Sequence, residues 1–181
     1  MAIEAHPKLT YADYAALPDD GRRYELIDGE IFVTPAPNTR HQIIVGRVFN
    51  AIFNHIEAHG GGQVFVAPYD AVLSNMNVVQ PDVVVVTDAD AERITAANLQ
   101  GAPSLAVEVL SESRHDRVRK RGLYEQFGVP EYWIVDPEAN RVEVFRLDGP
   151  AYPPPIIFEP SLTLTYDGLP GLEIDLAWLF R

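Results

Sequence analysis

At 181 residues, 47% hydrophobic and 22% charged, the chain has room for one domain with a substantial core, and no apolar run approaches the roughly 20 residues that span a bilayer. Zero cysteines exclude disulfides, thiol catalysis and thiolate metal sites together. The net charge of −12 argues against gripping nucleic acid by bulk electrostatics, which needs clustered Lys and Arg.

The N-terminus, MAIEAHPKLT, lacks a basic stretch followed by an apolar one, so no secretory signal is read there and a cytoplasmic protein is expected. No internal repeat, low-complexity segment or domain boundary interrupts the sequence, and residues 1–181 read as a single domain. LTYADYAAL predicts a short helix with Thr10 as N-cap. RYELIDGEIFVTP predicts an N-terminal β-hairpin around Asp28-Gly29, a pair suited to a type I′ turn. Pairing across that turn puts Tyr24, Leu26, Ile31 and Val33 on one face, with Glu25, Ile27, Glu30 and Phe32 on the other.

From Thr39 to about His59, Ile44, Val45, Val48, Ile52 and Ile56 recur at helical spacing, and Gly60-Gly61-Gly62 stops the helix. Strands are expected at about 63–73 and 79–87, then a helix in DADAERITAANLQ. SLAVEVL is the next strand, followed by a helix from about Ser113 to Phe127. EYWIVD and RVEVFRL form two strands joined by a turn at Pro137 to Asn140. After the Pro-rich GPAYPPP, TLTYDG and LEIDLAWLF add an edge strand and a short terminal helix. The order predicts an α/β (α+β) fold with a central mixed β-sheet flanked by helices.

Two carboxylates break the pattern. In QPDVVVV, Asp82 shares a strand face with Gln80, Val84 and Val86. In LAVEVL, Glu108 shares one with Ala106 and Leu110. An isolated buried carboxylate either takes up a proton or costs several kcal/mol. A divalent cation between the two acids resolves this, and hard oxygen ligands select Mg²⁺ or Mn²⁺. On the following helix, Asp116, Lys120, Leu123, Tyr124 and Phe127 share one face, which turns Lys120 inward toward the acids. Two plainer readings stay open: Asp82 facing water at a strand start, and Lys120 snorkelling to the rim. Five of the fourteen basic residues lie in RHDRVRKR, residues 114–121, and most of that strip reads as a solvated helix face. Two acids and a lysine suit metal-dependent phosphodiester hydrolysis, with the lysine positioning or deprotonating water and stabilising negative charge.

These pieces resemble the PD-(D/E)XK nuclease superfamily and, within it, the Uma-two family of restriction-endonuclease-like proteins found widely in bacteria. The resemblance rests on YELIDGEI, the His41-led helix, QPDVVVV, the block PSLAVEVLSESRHDRVRKRGLYEQFGVPEYWIVDP with VEVFRL, and LPGLEIDLAWLF. It implies a restriction-endonuclease-like core and an endonuclease hydrolysing DNA with Mg²⁺ or Mn²⁺. Asp82 would be the "PD" acid, Glu108 the (D/E), and Val109 a metal ligand through its backbone carbonyl. The superfamily lysine would fall at position 110, where this chain has Leu110, so the resemblance makes Lys120 a lysine migrated to the next helix. Supporting roles fall to Glu30 or Glu25 at the hairpin, to His41 at a helix start, and to Asp116, which can orient Lys120 from one turn away. Tyr124 and Trp133 read as core. Exposed strand edges and the apolar LEIDLAWLF predict a homodimer, with no membrane partner. Two other functions suit the acidic surface: a catalytically degenerate nuclease-fold binding or assembly module, and a hydrolase of small nucleotides.

Overall fold

The computed structural model describes residues 7–111 and 114–181, the side chains of residues 114–117 excepted. Thr10 caps the first helix, α1 (Tyr11–Ala15), and its backbone N–H and hydroxyl both donate to Asp13 Oδ2, at 2.8 and 2.7 Å. Strands β1 (Arg23–Ile27) and β2 (Glu30–Thr34) form the expected hairpin, with Tyr24 opposite Val33 and Leu26 opposite Ile31. Asp28 and Gly29 adopt φ of 51° and 76°, the left-handed pair that a type I′ turn requires. Helix α2 (Thr39–His59) follows, capped by Asn38, whose side chain accepts from the His41 N–H at 2.9 Å.

The next stretch departs from expectation. The strand anticipated at about 63–73 is two strands, β3 (Gly62–Val66) and β4 (Ala71–Ser74), in different sheets. The one anticipated at about 79–87 is likewise split into β5 (Asn77–Val79) and β6 (Val83–Thr87). The break falls on Gln80-Pro81-Asp82: proline has no N–H for a ladder, and the Gln80 N–H donates to the Glu25 side chain at 2.8 Å instead. The helix expected in DADAERITAANLQ is a 3-10 turn, Asp88–Arg93, followed by the short strand β7 (Leu99–Gln100).

Strand β8 (Leu105–Val109), helix α3 (Arg114–Gln126), β9 (Glu131–Asp136) and β10 (Arg141–Arg146) lie where the pattern put them. Short strands β11 (Ile156–Phe158), β12 (Thr163–Thr165) and β13 (Glu173–Asp175) lead into α4 (Leu176–Phe180). The mixed fold is as expected, but the sheet is not single. Six strands run β11-β10-β9-β8-β6-β3, five run β2-β1-β5-β4-β7, and β12 pairs with β13. Within the six-stranded sheet β8 and β9 are parallel and the other neighbours antiparallel.

One face of the larger sheet packs Val83, Val85, Val107 and Trp133 against the apolar stripe of α2 and against Leu176 and Leu179 of α4. The other face packs Val84, Ala106 and Ile134 against Ile27 and Val79 of the smaller sheet and Leu123 and Tyr124 of α3. The LEIDLAWLF segment, which suggested a dimer, thus buries Ile174, Leu176, Leu179 and Phe180 in the chain's own core. Among the described residues, no helix is long and apolar enough to cross a membrane.

The C-terminal helix is held by two arginines of α2. Arg47 Nη1 donates to the carbonyls of Trp178 (3.0 Å), Leu179 (3.0 Å) and Arg181 (2.6 Å), and Arg40 Nη2 donates to Phe180 (3.2 Å). These carbonyls have no partner within a helix so short, so the guanidinium groups satisfy them. Substituting Arg47 by Ala is expected to lower unfolding stability by about 1–3 kcal/mol. Amide exchange should rise across residues 172–181 while β8 and β9 stay protected; uniform protection in both regions would disprove the anchoring role.

Candidate active site

Asp82 lies immediately before β6 and Glu108 one residue before the end of β8. Continuing the register from Val83 opposite Val107 brings the two acids face to face across neighbouring strands. They extend the apolar row that contains Val84 and Ala106, as strand alternation requires. The strand break at Pro81 leaves the Asp82 carbonyl accepting the Ala67 N–H at 3.1 Å, while its carboxylate is held by groups of other elements.

Asp82 Oδ2 accepts the Val109 N–H at 2.9 Å and contacts His41 Nε2 at 3.1 Å. A carboxylate can only accept, so Nε2 carries the proton, and His41 Nδ1 is buried with no hydrogen-bond partner among the described residues. Arg23 Nη1 stands 3.6 Å from Asp82 Oδ1. Burial alone would raise the Asp82 pKa, but the His41 contact, the Val109 N–H and the nearby Lys120 charge outweigh it and hold the carboxyl below its usual value.

Lys120 is 3% exposed, and its ammonium donates to Glu108 Oε1 and Glu25 Oε1, both at 2.9 Å. The snorkelling alternative is therefore excluded. Tyr124, one turn along α3, donates its hydroxyl to the same Glu108 oxygen at 2.8 Å. Burial pushes the Glu108 carboxyl up to about 8, and the Asp82 and Glu25 charges add to the rise while Lys120 opposes it. One acid of the pair is thus kept ionised and the other is biased toward its protonated form.

The cleft above these groups is lined by Arg23, Thr34, Pro35, His41, Glu108 and Ser111, with Asp82 and Lys120 at its floor. The structure therefore brings together Asp82, Glu108, Lys120 and His41. Glu30 is exposed beside the hairpin turn, opposite Ile27, and it is Glu25 that reaches the site. The Asp116 side chain lies outside the described residues. Tyr124 and Trp133 are core as expected, but Tyr124 is also a hydrogen-bond donor to the site.

The Glu25 position carried a weaker form of the signal of Asp82 and Glu108, an acid in a row with Ile27 and Phe32 that Glu30 shares. Arg23 carried none, because it follows the polar turn DDGR and its placement depends on a distant residue, Gln80. Of the basic strip, Lys120 alone among its described side chains turns into the site. The Arg119 guanidinium lies 4.0 Å from the Phe32 ring centroid and that of Arg121 4.9 Å from Phe145.

A hard divalent cation fits this donor set. Buried carboxylates outnumber buried cations here, and the Asp82 and Glu25 charges add to the rise that burial imposes on the Glu108 pKa. The Leu110 N–H donates to the Val135 carbonyl at 2.8 Å, and a trans peptide then points the Val109 carbonyl the opposite way, toward the Asp82 side. Among the described residues, no three His, Asp or Glu side chains converge at metal-binding reach. Asp82, Glu108 and one carbonyl make a sparse set of the kind Mg²⁺ accepts when substrate and water complete its shell.

The titrations have a measurable consequence for the metal-free protein. Glu108 binds its proton more tightly folded than unfolded, so stability should fall as pH rises from 4.5 to about 8. The slope is at most about 1.4 kcal/mol per pH unit, and it should end above the folded pKa. Asp82 acts in the opposite sense and in another window: its stabilisation is complete above its unfolded value of 3.8 and is lost below it. Thermal melts in chelator at pH 5, 6.5 and 8.5 should therefore show a decline that Glu108→Gln flattens. An unchanged decline in that variant would assign the titration to another group.

The chain spans a known fold almost completely. A crystal structure from Anabaena variabilis, titled "a putative nuclease belonging to DUF820", superposes with a TM-score of 0.81 at 20% identity. The match covers 95% of this chain and 97% of that one, and at this identity it establishes the shared fold. No curated protein matches the chain. A family model described as "Putative restriction endonuclease", named Uma2 (Uma-two), matches residues 11–177. Matched over nearly its whole length, the protein belongs to the Uma2 family.

Proposed function

We propose that the protein is an endonuclease that hydrolyses DNA phosphodiester bonds with Mg²⁺ or Mn²⁺. The observation that carries this reading is the charged cluster in and beneath the cleft: Asp82, Glu108, Glu25 and Lys120 are gathered beside apolar core. Such groups are costly to bury unless paired, and their pKa values are pushed in opposite directions, a pattern common at catalytic sites.

When bound, the cation polarises a phosphoryl oxygen and makes water a better nucleophile. Asp82 enters the reaction ionised, oriented by His41 and the Val109 N–H. Glu108 must release its proton to act as a ligand, so metal uptake and proton loss are linked. Lys120, already donating to two carboxylate oxygens, serves as a proton-bearing group that stabilises negative charge developing on the phosphate. Glu25 and Tyr124 fix where that ammonium and its Glu108 partner stand.

Substituting Asp82 by Asn, Glu108 by Gln or Lys120 by Met should each lower Mn²⁺-dependent plasmid nicking by about 10²–10³-fold or more. The two acid variants should also weaken Mn²⁺ binding measured by calorimetry. Wild-type nicking by either acid variant would overturn the assignment. The net charge of −12 favours one rival, a binding or assembly module with a degenerate metal site. Absence of Mn²⁺ uptake by the wild type, with full stability in both acid variants, would point to that rival.

A further inference from the structure

Arg23 occupies a place the phosphodiester chemistry above does not use. It stands at the start of β1, on the wall of the cleft, with its side chain 22% exposed. One edge of the guanidinium is fixed: Nη2 donates to the Gln80 carbonyl at 2.9 Å and Nε to Gln80 Oε1 at 3.4 Å. Gln80 is itself held, its N–H on Glu25 Oε1 at 2.8 Å and its side-chain amide on Asp70 at 2.8 Å and Tyr14 at 3.3 Å. The other edge, Nη1, faces Asp82 Oδ1 at 3.6 Å, beyond hydrogen-bond length.

A guanidinium tethered on one edge and aimed into a cleft on the other is pre-organised to bind an oxyanion. An Arg–Asp pair kept only for stability would be expected to close to a bidentate contact, and this one is held open by Gln80. We infer that Arg23 is a substrate-phosphate-binding residue, taking a non-bridging oxygen of the nucleic-acid backbone beside Asp82. This rests on the phosphodiester reading of the site and adds to it the group that seats the substrate. It also supplies what the acidic composition lacks, a cation at the cleft wall for an incoming phosphate.

The test compares wild type, Arg23→Gln and Arg23→Lys as full chains whose melting temperatures are recorded first. A fluorescent single-stranded oligonucleotide is titrated in Ca²⁺ at several salt concentrations, and nicking is measured in parallel in Mn²⁺. Arg23→Gln should bind about tenfold more weakly and reduce the slope of log affinity against log salt by about one phosphate contact. Arg23→Lys, which keeps the charge and loses the planar tether, should keep the salt slope while losing part of the affinity. That split separates phosphate contact from a merely structural role, under which both variants would melt lower with the slope unmoved.

Wild-type affinity and slope in Arg23→Gln, with a wild-type enzyme that nicks, would overturn the Arg23 assignment and leave the nuclease reading standing. An Arg23-dependent slope in a protein that nicks nothing would keep Arg23 as a phosphate-binding residue and overturn the nuclease reading. A wild type that neither binds nor nicks would overturn both.

Discussion

The ammonium of Lys120 is the point on which the site depends. It joins three elements, reaching from α3 to Glu108 on the larger sheet and Glu25 on the smaller one. Apolar packing alone would hold these layers together without a charge between them. Buried ion pairs are weak sources of stability, and an apolar replacement of similar volume is often neutral or better. Removing one partner is another matter, costing about 3–5 kcal/mol because the rest is left uncompensated. A buried lysine with two acids is therefore poorly explained by folding stability alone, and it is on these charges that the proposed phosphodiester chemistry rests.

The backbone arrangement serves the same cluster. The chain crosses from the smaller sheet to the larger at Gln80-Pro81-Asp82, and each residue there has a separate task. Gln80 gives its N–H to Glu25 and its carbonyl to Arg23, so it positions one charge of each sign. Pro81 ends the ladder. Asp82 turns its carboxylate to His41 and to the Val109 N–H. Hydrogen bonding holds its carboxyl below the usual value despite burial, while burial pushes Glu108 up to about 8 against the opposing Lys120 charge. Two acids placed face to face thus acquire different protonation behaviour from different surroundings, which allows different roles.

Much of this was legible in the sequence where the signal is local. Asp28-Gly29 marked the hairpin and its register, and the period of Ile44 to Ile56 with the Gly60-Gly61-Gly62 stop marked α2 from Thr39 to about His59. The inward stripe of α3 placed Lys120 correctly because side-chain direction on a helix follows from spacing alone. What stayed hidden is long-range. Pro68 and Pro81 mark where each run breaks, but a valine run has the same composition whichever sheet it joins, so nothing local assigns β3 and β4, or β5 and β6, to different sheets. Glu25 and Glu30 look alike in sequence, both on the same hairpin face; burial against the second sheet selects Glu25. Tyr124 was readable as core, but the partner of its hydroxyl depends on a strand 16 residues earlier.

The acidic body and a nucleic-acid substrate are compatible once distance is considered. Exposed charges separated by more than a Debye length, about 8 Å at physiological salt, are largely screened from one another. The net charge of −12 thus acts mainly on encounter, slowing approach and favouring higher ionic strength. Inside the cleft the balance is local: Arg23 and Lys120 lie beside the acids, in an environment where screening is weak. A protein built this way gains little from non-specific attraction along a duplex. On the proposed nuclease reading, binding depends instead on the few contacts made when one phosphate is seated, so selectivity rests with the shape and charge of the cleft.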